Sequence, residues 1–354
     1  MARSPWLSRA GGTLSATLLA GVAVLAGGSP AQAAGAGKAS VDRSLVSFVA
    51  GSGKANRVVI TRSGRTVTID DKYPIKAGKG CKAVKHDRTK VRCTSRYDPF
   101  LSVKLGSKDD RLVNKTSLQL FAYGSSGNDV IDSGSGPDVI KGGTGTDRIY
   151  GGGGNDHLDG EQGDDRVYGE AGLDLVQGGL GNDVVDGGTG NDVLYGEIER
   201  LDIPPARWGA DILRGGAGRD SVSYTTHTRG VTVDLDGGRG DDGMPGEHDS
   251  VGADVEIVTG SPGDDTLIGN TAANTLDGSD GDDTVRGGGG NDTLSGGAGT
   301  DAIAGEAGDD AIDGVDPSME ADQRADRIDG GGDATGLGDL CRVTPIDLVT
   351  NCER

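Results

Sequence analysis

The sequence predicts an all-β fold built as a solenoid of parallel strands, with a β-rich cap at its amino-terminal end. Three observations lead there. The chain has 354 residues, 66 glycines, 3% aromatic residues and a formal charge of -20, too little large apolar volume for one ordinary core of this length. High charge with few aromatics usually means disorder. Against that, a nine-residue pattern recurs in strict phase and keeps one aliphatic residue in every copy, which a disordered acidic chain has no reason to do.

Residues 1–33 read as a targeting segment. Arg3 and Arg9 give a basic start, Leu14 to Leu25 an apolar stretch broken by Gly21, and Ala31-Gln32-Ala33 a small-residue cleavage motif. The alternative is a membrane anchor, for which the run is short; no other segment is long enough for a membrane span. The expected mature chain starts at Ala34 and works outside the cytoplasm, secreted and in one reading associated with the cell wall.

Residues 34–123 form the next unit. Within it, residues 38–115 hold 19 Lys and Arg against 7 Asp and Glu, a net of +12, whereas 116–354 carry -34. Alternating runs such as Asn56–Thr61 and Thr66–Asp70, with glycine turns between them, predict strands. Leu101–Leu105 and Ser117–Phe121 are expected to be strands that stack onto the solenoid. A solenoid needs a covered end, and this basic unit is the candidate. Its charge also suits acidic cell-wall polymers. With aromatic residues sparse, no nucleic acid partner is expected.

Four cysteines allow three connectivities. Local pairing, Cys81 with Cys93 and Cys341 with Cys352, is the simplest for an exported chain. A four-cysteine zinc site is the rival reading, and the sequence lacks a C-x-x-C pair for it.

The first array occupies 124–223. Nonapeptides start at 124, 133, 142, 151, 160, 169, 178 and 187 without a slip; a ninth is opened by an insertion around Ile198–Trp208, and a tenth starts at Gly215. The phase resumes over 260–329. The sixth position holds Asp129, Asp138, Asp147, Asp156, Asp165, Asp174, Asp183, Asp192, Asp211 and Asp220, then Asp265, Asn274, Asp283, Asp292, Asp301 and Asp310. Every eighth position is aliphatic, from Ile131 through Leu158 and Leu213 to Ile312. Glycines supply tight turns, and the last three residues a short strand whose middle side chain points inward. Two units then make one flattened coil, so residues 18 apart stack. That places Asp147 beneath Asp165 and Asp165 beneath Asp183. Like charges about 5 Å apart repel by roughly 3 kcal/mol at an effective dielectric near 20. The columns therefore predict a cation between the turns, and carboxylates with backbone carbonyls suit a hard one.

Segments such as GGTGTDRIY (142–150), GGGGNDHLD (151–159) and GGTGNDVLY (187–195) resemble the haemolysin-type RTX nonapeptide, GGxGxDxUx. The resemblance covers about 124–223 and 260–329. It implies a parallel β-roll/β-helix solenoid, with several calcium ions (Ca2+) held by the fifteen sixth-position aspartates and by turn carbonyls. It further implies folding coupled to calcium. Asn274 departs from the pattern and weakens its site; the insertion at Ile198–Trp208 puts the site spanning it in doubt.

Residues 224–259 resemble the "SY…GVTVDL…D…VE.V.GS" bridge found between such arrays. Its loop carries Asp241, Asp242, Glu247 and Asp249, either a further calcium site or a solvated acidic turn. Residues 330–354 are expected to close as a disulfide-bonded tail, a departure from the uncleaved C-terminal export signal of many toxins and proteases of this kind.

The sequence offers no catalytic constellation. None of His86, His157, His227 and His248 begins H-E-x-x-H, no serine sits in G-x-S-x-G, and Ala50–Ala55 mimics a phosphate loop with Phe48 in place of its first glycine and Ala55 in place of its hydroxyl residue. The expectation is a secreted calcium-binding protein without enzymatic activity. The alternative is an adhesion module that uses the roll as a calcium-stiffened stalk.

Overall fold

The computed structural model describes residues 35–197, 209–315, 325–332, 339–344 and 347–352. The targeting segment and the insertion Ile198–Trp208 lie outside the described residues. Those described contain strands and no helix.

The repeat creates the fold directly. Val130–Asp132 pairs in parallel with Arg148–Tyr150, which pairs with Arg166–Ala171, each register offset by 18 residues. On the opposite side Val139–Thr144, His157–Gln162 and Leu175–Leu180 stack in the same way. Eighth-position residues of both sides meet between the sheets; Ile131, Ile140, Ile149, Leu158, Val167 and Val176 are all fully buried. Each contributes one rung of a thin continuous core, which is how a chain so poor in large apolar residues folds at all. Strands also run further than the three residues expected. His157–Gln162 continues past its rung into the next glycine turn, because backbone pairing across coils persists there, as between Glu161 and Gly179.

One 15-stranded sheet runs from Ile75–Ala77 to Leu340–Arg342 and serves both arrays. The other side is divided. An 11-stranded sheet covers the basic unit and first array and ends at Ser250–Val251; a 6-stranded sheet begins at Thr232–Asp234. The bridge makes this seam. Asp242 is buried there, and its carboxylate accepts the N–H of Asp234 at 2.8 Å on one sheet and of Val251 at 2.7 Å on the other.

The solenoid is longer than the repeats. Leu45–Val49 and Arg57–Ser63 already pair in parallel with Phe100–Ser107 and Arg111–Asn114. Antiparallel hairpins from Gly37–Asp42 and Thr66–Thr94 close that end, and Cys81 bonds Cys93 across one of them. At the other end Leu340–Arg342 and Leu348–Thr350 add further rungs, with Cys341 stacked on Ile312 and bonded to Cys352. Both disulfides are the local pairs.

Candidate metal centre

All fifteen sixth-position aspartates are buried. Each stands where strand meets turn, and its backbone decides its surroundings. The N–H of Asp129 donates to Asp147 Oδ1 at 2.7 Å, that of Asp147 to Asp165 Oδ1 at 2.7 Å, and that of Asp165 to Asp183 Oδ1 at 2.7 Å. The opposite column repeats this through Asp138, Asp156, Asp174 and Asp192 at 2.8 Å each. In the second array Asp265 donates to Asp283 Oδ1 at 2.8 Å and Asp283 to Asp301 Oδ1 at 2.9 Å, while Asn274 donates to Asp292 and Asp292 to Asp310, both at 2.8 Å.

This arrangement corrects one expectation. The aspartates do not face one another carboxylate to carboxylate; an amide N–H stands between each pair. Among the described residues, three groups of acids and histidines bring their ligand atoms within 4.8 Å of one another: Glu197, His227 and Glu247; Glu197, Asp211 and Asp249; Asp234, Asp236 and Asp241. The columns enter these groups only through Asp211 and Asp249. Within a column, side chains alone do not enclose an ion, so turn carbonyls would have to complete each site.

What remains is the second oxygen. Oδ2 of Asp129, Asp138, Asp147, Asp156, Asp165, Asp174, Asp183 and Asp192 is buried without a protein hydrogen-bond donor, as is that of Asp211, Asp220, Asp283, Asp292 and Asp310. It packs against the first-position glycine: a Cβ at Gly142 would lie 2.4 Å from Asp147 Oδ2, and one at Gly151 2.5 Å from Asp156 Oδ2. A buried carboxylate oxygen with no donor needs a proton or a cation. Burial pushes these acids up accordingly, Asp147 to about 6, Asp165 to about 7 and Asp138 to about 8, despite the amide donors that oppose the shift. Burial, followed by the neighbouring Asp211, also raises Asp183. The donor set thus fits a hard divalent cation, whose charge would hold the carboxylates ionised.

Asn274 occupies the same buried place with its Oδ1 accepting from the N–H of Asn270 at 2.8 Å, and it brings no charge. The insertion leaves the ladder intact: Asp183 donates to Asp211 Oδ1 at 2.8 Å across 28 residues rather than 18.

Members outside the nonapeptide phase extend the columns. Asp110 donates to Asp129 Oδ1 at 2.7 Å, Asp211 to Asp249 Oδ1 at 3.0 Å, and Asp220 to Glu256 Oε2 at 2.9 Å. Asp326 accepts from Asp301 at 2.9 Å and Asp339 from Asp310 at 2.8 Å. Their common signal is an acid two residues before a core position, as in Asp249-Ser250-Val251 and Glu256-Ile257-Val258. Of the bridge acids, Asp242, Glu247 and Asp249 are buried and Asp241 is exposed, so the first three are not a solvated turn.

Paired acidic ladders buried in a two-sided parallel coil define a β-roll of the cation-binding kind. The particular repeat is identified by comparison: the family model described as RTX calcium-binding nonapeptide repeat (4 copies) matches residues 123–158, 141–176, 159–194, 206–223, 259–294 and 286–314. The two arrays are RTX calcium-binding repeats. No curated protein matches the chain.

Proposed function

We propose that this is an exported calcium-binding protein whose roll folds when calcium occupies the aspartate columns, with no enzymatic activity of its own. The observation that carries the reading is the row of buried carboxylate oxygens without donors. Metal that binds only the folded coil contributes its binding energy to folding. Export is supported by the basic-apolar-small pattern of residues 1–33 and by two disulfides. Outside the cell, calcium is plentiful enough for weak sites.

Circular dichroism of the chain from Ala34, titrated with calcium after EDTA treatment, tests this. The β-sheet signal is expected to rise with calcium. Asp165→Asn keeps the acceptor for the Asp147 N–H and removes the charge; it should shift the midpoint to higher calcium. An unchanged spectrum from EDTA to millimolar calcium would refute metal-coupled folding.

A stalk that holds the basic unit on acidic cell-wall polymers is the second reading. Lys76, Lys79, Lys82 and Lys85 are exposed along residues 76–85 at the amino-terminal end, which favours it. Sedimentation with purified anionic wall polymer should carry the protein down at low salt and lose it when all four lysines become glutamine. Equal sedimentation of both forms would set the reading aside.

A further inference from the structure

The acids at the seam between the arrays do something the repeats do not. Glu197 is the second residue of the unit opened by the insertion, Asp211 immediately precedes the strand Ile212–Gly218 that resumes after it, and Glu247 and Asp249 come from the bridge. None is more than 5% exposed. Each carboxylate uses one oxygen on a backbone amide: Glu197 Oε1 accepts from Gly209 at 2.7 Å, Asp211 Oδ1 from Asp183 at 2.8 Å, Glu247 Oε2 from Met244 at 2.7 Å, and Asp249 Oδ1 from Asp211 at 3.0 Å. The other oxygen of all four is buried and receives no backbone amide, and the Glu197 and Asp211 carboxyls are close enough to share a proton. Unlike the acids along a column, these side chains gather: one ligand atom each of Glu197, Asp211 and Asp249 lie within 4.8 Å of one another, and so do one each of Glu197, His227 and Glu247. His227 Nε2 lies 3.5 Å from Glu247 Oε1. Gly243 leaves the space: a Cβ there would lie 2.8 Å from both Asp249 Oδ2 and Glu247 Oε2.

We propose that Glu197, Asp211, Glu247 and Asp249 form a further divalent-cation site of the calcium class, with Asp211 as its one member from the nonapeptide pattern, that fastens the first array to the bridge. Four carboxylates from three chain segments, gathered in two close groups that share Glu197, are a side-chain cluster that the columns lack. A hard cation suits such a set, and His227 stands at its edge. The alternative filling is protons shared among the acids. Burial followed by Asp211 raises Glu197, and burial followed by Asp211 raises Asp249, so a cation that binds here displaces protons.

The seam site shares Asp211 and Asp249 with a column and adds Glu197 and Glu247, and calcium counting by native mass spectrometry separates the two. The double variant Glu197→Gln, Glu247→Gln spares every sixth-position aspartate. It should carry one calcium ion fewer than the wild type, with the same circular dichroism in saturating calcium. Several ions in both proteins, in equal number, would overturn the seam site and leave the columns standing. One ion in the wild type and none in the variant would establish the seam and remove the columns. If the double variant fails to fold, terbium replaces calcium in Tyr224→Phe, which retains all four acids. Tyr224 is buried with its ring 5.2 Å from that of His227, so tyrosine-sensitised terbium emission should fall on its removal. Unchanged emission would overturn the proposal.

Discussion

In EDTA, the chain from Ala34 is expected to keep its β-sheet signal near pH 5 and lose it by pH 8. The column acids have folded-state pKa values above the unfolded value of 3.8: Asp147 about 6, Asp156 and Asp292 about 7, Asp138 and Asp283 about 8, with burial the leading cause in each. Below the unfolded value both states hold the proton and the shift changes nothing. As pH rises, the unfolded chain releases protons that the folded chain retains, so stability falls until the folded values are passed. A shift of two units is worth about 3 kcal/mol. A few such sites together match the whole stability of an ordinary domain, about 5–15 kcal/mol. Calcium reverses the sign, because it takes the deprotonated carboxylate and releases the remaining protons. In millimolar calcium the same chain should be more stable at pH 8 than at pH 5. Calorimetry in buffers of different ionisation enthalpy should register proton release on binding. Equal β-signal at both pH values in EDTA would mean that the donorless oxygens are not the seat of the metal requirement.

Much of this was legible because the coil repeats. Asp147, Asp165 and Asp183 could be stacked on paper: with one strand on each side of the coil, a nine-residue unit returns to the same face after 18. Asp249 was legible only as a bridge-loop acid and Asp326 only as part of a last degenerate repeat, and Glu256 and Asp339 were missed, because stacking fixes position on the coil and leaves the intervening length free. Asp249 comes 38 residues after Asp211 and Asp326 comes 25 after Asp301, where the repeat spacing is 18. The division into two sheets opposite one continuous sheet was also hidden, since it depends on Asp242 bonding two strands at once. Nor did the pattern reveal where the ladder stops. In the basic unit, Leu120 and Leu101 are buried one and two coils before Asp138, and Leu120 donates its N–H to Asp138 Oδ1 at 2.7 Å, so on this side an apolar ladder replaces the acidic one. Glycine was the least decipherable residue, because one letter answers to different physical demands in the same turn.

Gly163→Ala and Glu170→Gly should have very unequal effects although both change a turn glycine position. At the second position, Glu170 already adopts φ 69° with a side chain, as do Glu161 and Glu306. Replacing it by glycine relieves about 1–2 kcal/mol of left-handed strain and adds about 0.4–1 kcal/mol of unfolded-state freedom, leaving little net change. At the fourth position, Gly163 has φ 130°, and a Cβ would lie 1.6 Å from the carbonyl oxygen of Gly145 in the coil before it. That neighbour is backbone, paired in turn through the Gly145 N–H to Gln162 O at 2.9 Å, and it cannot move aside without parting the coils. Strain and overpacking together should cost about 2–5 kcal/mol. At roughly 2–4 °C for each kcal/mol, the melting point in saturating calcium should drop by about 10 °C. The chain contains its own control. Among complete repeats, the fourth position carries a side chain in the unit starting at Gly269, as Ala272, and one coil earlier lies the bridge rather than another nonapeptide turn. A Gly163→Ala protein that melts with the wild type would show that successive turns are not packed backbone against backbone, and the close stacking that brings each aspartate to the next would go with it.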